Sequence, residues 1–228
     1  RDKGYPEAIT KEVWRQLESF AGYSFSKAHS ASYAVESFQS LYLKAHYPQE
    51  FMVAVINNFG GFYHTWVYFN EARRCGATIH LPCVNNSNYK TCIRGSDIYT
   101  GFIHVDSLER EFGQAIIAER EANGLYTGLD DFVGRVNAGL EQMILLIRIG
   151  AFRFTGKSKA ELLWDVHQLL RRSQPNQHHQ SLFKSVQREF RLPRLVHHTV
   201  EDAYDEMELL GWPVSMTMFD LMQDDFRG

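Results

Sequence analysis

Between residues 9 and 210 the apolar side chains of this chain fall three or four apart almost everywhere. The spacing fails over residues 77–103, where a shorter period replaces it, and in the polar stretch from residue 171. Such a period collects apolar side chains on one face of a helix. The chain must therefore bury a series of helical stripes against one another, with one small β element among them. Ile9, Val13, Leu17, Phe20 and Ala21 mark a first helix, with Thr10 as its cap and Gly22 near its end. Ala34, Phe38, Leu41 and Ala45 mark a second, with Ser32, Glu36 and Gln39 on its wetter side. Pro48 opens a third, which reaches Val55 and is broken by Gly60 and Gly61. A fourth spans about residues 64–75. Then ATIHLPCV, YKTCIR and DIYTGFI read as short strands, the last two joined through Gly95 and Ser96. Helical spacing returns over residues 108–121, 129–136, 140–149 and 159–170, with short, glycine-marked connections. RRSQPNQHHQS is polar and aperiodic, as a linker is. A last helix is expected over residues 200–210, and the apolar tail from Pro213 is expected to lead into a further domain.

Composition narrows the class without choosing a partner. With 228 residues, 44% of them hydrophobic, one sizeable core or two small ones can form. A net charge of −3 points to no particular ligand, and it leaves room for a local basic patch. The three cysteines, Cys75, Cys83 and Cys92, have no C-x-x-C spacing, so free thiols in a reducing, cytoplasmic compartment are expected. No apolar run has the length of a membrane span, so no membrane partner is expected. The opening RDKGYPEAI, without methionine, reads as part of a longer chain.

The stretch FAGYSFSKAHSASYA places Lys27 and His29 where the second helical pattern begins. A helix N-terminus has unpaired N–H groups and partial positive charge. With a fixed lysine charge and a histidine donor added, and Ser26 or Ser30 as cap, it can hold a phosphate. A capped helix start with solvated polar residues explains the same letters.

FAGYSFSKAHSASYA, followed by QSLYLKAHYPQEFMVAVI, closely resembles the bacterial C-family replicative DNA polymerases, the polymerase III alpha subunits. ARRCGATIHLPCVNNSNY, GLYTGLDDFVGRV, GLEQMILLIRIGAF and DEMELLGWPVS continue the resemblance in order, over roughly residues 10–165 and 200–215. It implies a mainly α fold. Residues 1–76 would be a helical fingers portion and 77–105 a small β-hairpin insertion. Residues 106–170 would form a tandem helix-hairpin-helix domain, 171–196 a polar linker with a short motif, and 197–228 a helix and tail leading to a next domain. By resemblance Lys27 and His29 face the triphosphate of an incoming deoxynucleotide. The family usually has Asn-Lys-Ser-His where this chain has Ser26, Lys27, Ala28 and His29. The family's chemistry is two-metal phosphoryl transfer, with magnesium held by palm carboxylates. No residue here matches those carboxylates. Asp130 and Asp131 match a structural helix start, and Asp224 and Asp225 lie in the tail. No catalytic or metal-binding residue is therefore expected, and the chain alone should not polymerise.

A helix-hairpin-helix grips DNA through a tight turn, often Gly-Val-Gly, whose N–H groups point at one phosphate. Here the first such turn reads Ser107-Leu108-Glu109. Both glycines are gone and a carboxylate stands where an anion should bind. This hairpin is expected to keep its packing, through Leu108, Ile116 and Ile117, and to bind DNA poorly. In the second unit the turn is Ala138-Gly139-Leu140. Duplex contact would come from Arg148, Arg153, Lys157 and Lys159, for which a solvated cationic rim is the other reading. The TGKS letters here do not make a P-loop, because Gly150 to Gly156 has one residue too many and a helical pattern precedes it.

In this family a peptide near Gln-x-(Ser/Asp)-Leu-Phe docks on the sliding clamp. The linker offers His179-Gln180-Ser181-Leu182-Phe183, with histidine for the usual glutamine. Leu182 and Phe183 would be apolar anchors, Phe183 contributing about 2 kcal/mol. The alternative has both tucked onto their own domain. The pairs His178-His179 and His197-His198 read as surface histidines rather than zinc ligands, since no cysteine lies near them in sequence. The expected partners are thus primed DNA, deoxynucleoside triphosphates, and the sliding clamp with other replisome subunits. The competing reading is a non-enzymatic DNA- or clamp-tethering module derived from the family.

Overall fold

The structure is a computed structural model that describes residues 4–23, 27–173 and 198–222. By compactness the chain divides between Phe51 and Met52, whereas the sequence reading groups residues 1–76.

The first unit holds α1 (Glu7–Tyr23), α2 (Lys27–His46) and the opening of α3 (Pro48–Asn57). Pro6, just ahead of α1, presets the entry. The Pro6 carbonyl accepts from the Ile9 and Thr10 amides, and Glu7 sets a carboxylate in the positive first turn. Thr10 is therefore not the cap expected for it. It lies inside the helix, and its hydroxyl donates back to the Pro6 carbonyl at 3.2 Å. Ser30 likewise lies inside α2 and cannot be that helix's cap, while Ser26 falls outside the described residues. Ile9, Val13, Trp14 and Leu17 on α1 and Phe38, Leu41 and Tyr42 on α2 are all exposed.

The second unit begins with the buried Met52, Val53 and Ile56 of α3. The Asn57 side chain exchanges two 2.8 Å hydrogen bonds with the backbone of Thr91. After α4 (Thr65–Arg74) come β1 (Thr78–His80), β2 (Cys92–Arg94) and β3 (Asp97–Tyr99). The expected hairpin is β2–β3, antiparallel, turning at Gly95 with φ of 65°. β1 joins the far side of β3 in parallel, giving the order β1-β3-β2. Ile98 is fully buried, and Ile79, beside it in register, packs on the main core. The helices α5 (Arg110–Asn123), α6 (Leu129–Arg135), α7 (Leu140–Arg148), α8 (Lys159–Ser173), α9 (Thr199–Leu210) and the short α10 (Met218–Leu221) complete a mainly helical fold. Residues 171–173, expected in the linker, are the last of α8. Short 3-10 turns at Phe102–His104 and Arg153–Thr155 carry no periodic signal and were not foreseen.

One core joins α5 to α9. Ile116, Phe132, Met143, Leu146, Ile147, Phe152 and Val166 are fully enclosed, with Leu209 and Leu210 of α9 in the same cluster. Phe132 meets the Phe152 ring edge-on at 5.0 Å, a geometry that adds to simple burial. The loop after β1 is fixed to this core by polar groups. Arg120 of α5 is buried, and its guanidinium donates to the Val84 carbonyl at 2.9 Å, the Ser87 carbonyl at 2.7 Å and Asn88 Oδ1 at 3.0 Å. Asn85 pairs with the Tyr126 backbone through both its donor and its acceptor. Every buried polar group in this staple has a partner, which is the condition for its burial.

Candidate nucleic-acid interface

The two hairpin turns lie side by side in the second unit. The first joins the 3-10 turn at Phe102–His104 to α5, and the second, residues 136–139, joins α6 to α7. Both border a cavity of about 620 Å³ lined by Glu109, Glu111, Asn137, Gly139, Glu141 and Gln142, among others.

In the first turn Ser107 takes φ of 60°, the left-handed region that costs an L-residue roughly 1 kcal/mol. Ser107 thus holds a backbone shape that glycine takes more readily. Leu108 packs against the core, Ile116 is buried within it and Ile117 lies against it, so the packing expected of this hairpin is present. Its backbone groups are occupied from inside the protein. The Glu109 amide donates to Gln142 Oε1 at 2.9 Å, and Gln142 Nε2 donates to the Ser107 carbonyl at 3.2 Å. One amide side chain thus takes up both the Glu109 amide and the Ser107 carbonyl. Sequence reasoning did not single out Gln142, and its place in the first turn of α7 gives no hint of a reach across to another hairpin.

The second turn is arranged otherwise. Gly139 is the residue before α7, with an ordinary φ of −70°, and a Cβ there would meet nothing within 4 Å. Gly139 supplies no side-chain hydrogen bond to this helix start, and the first turn of α7 carries the partial positive charge of any helix start, beside a cavity that Glu109, Glu111 and Glu141 also line.

The four expected DNA-contacting cations are brought near one another, and three of them are paired. Arg148 Nε meets Asp205 at 2.8 Å and its Nη2 meets Glu208 at 2.5 Å. Lys159 meets Asp202 at 2.5 Å and Asp205 at 2.7 Å. Lys157 meets Asp165 at 2.7 Å. The hydrogen bond to Glu208 holds Arg148 firmly protonated, and the same bond lowers the Glu208 carboxyl below the ordinary range. Asp165 raises Lys157 in the same way. Arg153 folds back over Gly150, where an added Cβ would lie 3.2 Å from its Nη1.

Lys27 is the first residue of α2, and His29 lies in its first turn. The His29 ring is exposed and meets Tyr33 edge-on at 4.3 Å. The clamp-motif residues 179–183 lie outside the described residues, as do Asp224 and Asp225. Asp131 Oδ2 accepts from the Thr127 amide at 2.9 Å and pairs with Arg135 at 3.1 Å. Its carboxylate is thus engaged at the start of α6. Among the described residues no group of three or more His, Cys, Asp or Glu is placed to hold a metal, and no helix is long and apolar enough to cross a membrane.

Residues 76–162 match the family model described as the helix-hairpin-helix motif. The chain is 35% identical over 164 residues to the error-prone DNA polymerase of Mycobacterium tuberculosis strain H37Rv, covering 71% of this chain and 15% of that protein. It is 33% identical over 178 residues to DNA polymerase III subunit alpha of Thermus aquaticus, 75% of this chain and 14% of the relative. The like-named subunit of Borreliella burgdorferi matches 96% of this chain at 27% identity, over 20% of its own length. The chain therefore spans a seventh to a fifth of the length of these relatives. Its helical composition, its small sheet and its paired hairpins agree with that match, and the chain belongs to the family of bacterial DNA polymerase III alpha subunits and error-prone DNA polymerases.

Proposed function

We propose that this chain works as part of a DNA-directed DNA polymerase that extends primed DNA by nucleotidyl transfer. Within it the second unit supports duplex DNA, and the start of α2 contributes Lys27 and His29 to the pocket for the incoming deoxynucleoside triphosphate. The magnesium-dependent chemistry belongs to other parts of that polymerase, and the chain alone is inactive. Residues 179–183 bind the sliding clamp through Leu182 and Phe183. The observation that carries the duplex role is the uncapped start of α7 beside Gly139, next to a first turn whose Glu109 amide is already taken. The duplex is then held mainly by the second turn, through backbone N–H groups and without regard to sequence.

Fluorescence anisotropy on primed duplex DNA, titrated from low to physiological salt, tests this. Binding at low salt is expected, with a shallow slope that corresponds to about two phosphate contacts. A folded chain that does not bind at low salt would remove the duplex role. For the other two sites, His29→Ala should raise the KM for nucleotide in a polymerase that contains this chain, and Leu182→Ala with Phe183→Ala should abolish clamp binding. An unchanged KM, or an unchanged clamp affinity, would dismiss the corresponding site.

A further inference from the structure

We infer that the acidic face of α9 is an electrostatic screen that sets how tightly the α7–α8 surface can hold duplex DNA. This rests on the duplex-binding reading and adds its regulation. Two faces of α9 do different work. Ala203, Leu209 and Leu210 are buried, the last two in the main core, and Glu206 is buried with Oε2 accepting from the Val214 and Ser215 amides. That face anchors the helix. The other face carries Asp202, Asp205 and Glu208, which spend their charge on Arg148 of α7 and Lys159 at the start of α8. The Arg148 and Lys159 side chains are only 27% and 21% exposed, while Glu208 is 64% exposed. The two cations are thus held under a carboxylate layer and share Asp205.

The charge count makes the consequence definite. Asp202, Asp205 and Glu208 outnumber Arg148 and Lys159 by one charge, with Arg153 near enough to feel Asp202, so a phosphate approaching Arg148 or Lys159 meets carboxylates that already match these two cations. Cations already matched by carboxylates replace few of the ions condensed on DNA, and the salt slope stays shallow. The screen leaves the uncapped start of α7 to act alone.

The test compares the whole chain with its Asp202→Asn, Asp205→Asn, Glu208→Gln variant on one blunt duplex, by anisotropy over a salt series, with circular dichroism to confirm folding. The buried anchor face is untouched, so the variant should fold. It should bind at least about tenfold more tightly at low salt and with a slope steeper by about two, as two cations become available. Adding Arg148→Gln and Lys159→Gln should return the affinity to that of the wild type. A folded variant with unchanged affinity and slope overturns the inference, as does a gain that survives loss of both cations. If the triple variant does not fold, Glu208→Gln alone, at the most exposed of the three carboxylates, should still tighten binding about two- to threefold, and no change there is equally fatal. The outcomes separate the two readings. Wild-type binding with no gain in the variant removes the screen and keeps the second turn. A silent wild type with a binding variant removes the turn and keeps the screen.

Discussion

The first turn has no glycine and yet a backbone that favours one, with Ser107 at φ of 60°. The second has kept Gly139 in a conformation any residue can take, with open space where a side chain would go. Glycine thus stands where the space beside it is open, and a serine holds the left-handed position where Gln142 fills the turn from within. The requirement that remains at the second turn is access, and the requirement that remains at the first is shape.

The largest expected effect separates the two turns by acid. His104 lies three residues before Ser107, buried, bonded to Thr91 Oγ1 at 3.0 Å and flanked by the rings of Phe59, Phe69 and Trp212. Burial pulls its imidazole down from 6.5 to about 4. Between those values the unfolded chain binds more protons than the folded one. Stability is therefore complete above pH 6.5 and falls as the pH is lowered through this window, by about 3 kcal/mol in full. Hydrogen exchange at pH 5 should accelerate at the first turn before the second, and His104→Gln should flatten the pH dependence over that range. Glu119, lowered mainly by its hydrogen bond from Arg135, and Asp131, lowered mainly by the Thr127 amide and then by Arg135, lose their contribution only as the pH falls below their ordinary values of 4.5 and 3.8, so they do not mimic an effect read at pH 5.

Next in size is Gln142→Ala, which strips both internal bonds from the first turn and should cost about 1 kcal/mol in denaturant unfolding. Ser107→Gly should act the other way, relieving the left-handed backbone for a gain of about 0.5 kcal/mol after the added chain entropy is subtracted. The smallest effect should be that of Gly139→Ala. The site has space and an ordinary φ, so stability should stay within about 0.5 kcal/mol while duplex affinity drops. A loss of several kcal/mol there would mean that the glycine is structural and would dissolve the contrast.

The helices were legible because amphipathic spacing survives in any context, and the β2–β3 hairpin because Gly95-Ser96 sits between alternating residues. The parallel pairing of β1 was not, since a three-residue strand states no partner. Nor were the caps. Thr10 and Ser30 have the right side chains for a helix start, but Pro6 and Lys27 begin the helices three residues or more earlier. The basic candidates were found as letters, and the pairing of Arg148 and Lys159 was not, because Asp202, Asp205 and Glu208 lie more than 40 residues along the chain from them. The sequence shows which groups carry charge, and the fold decides which of them are spent.

The most direct test of the contrast is an amide chemical-shift titration of the isotope-labelled chain with primed duplex DNA at low salt. The account predicts shifts at Gly139, Leu140 and Glu141, with the Glu109 amide unmoved under Gln142. Shifts centred on Ser107 to Glu109, with the start of α7 unchanged, would contradict it.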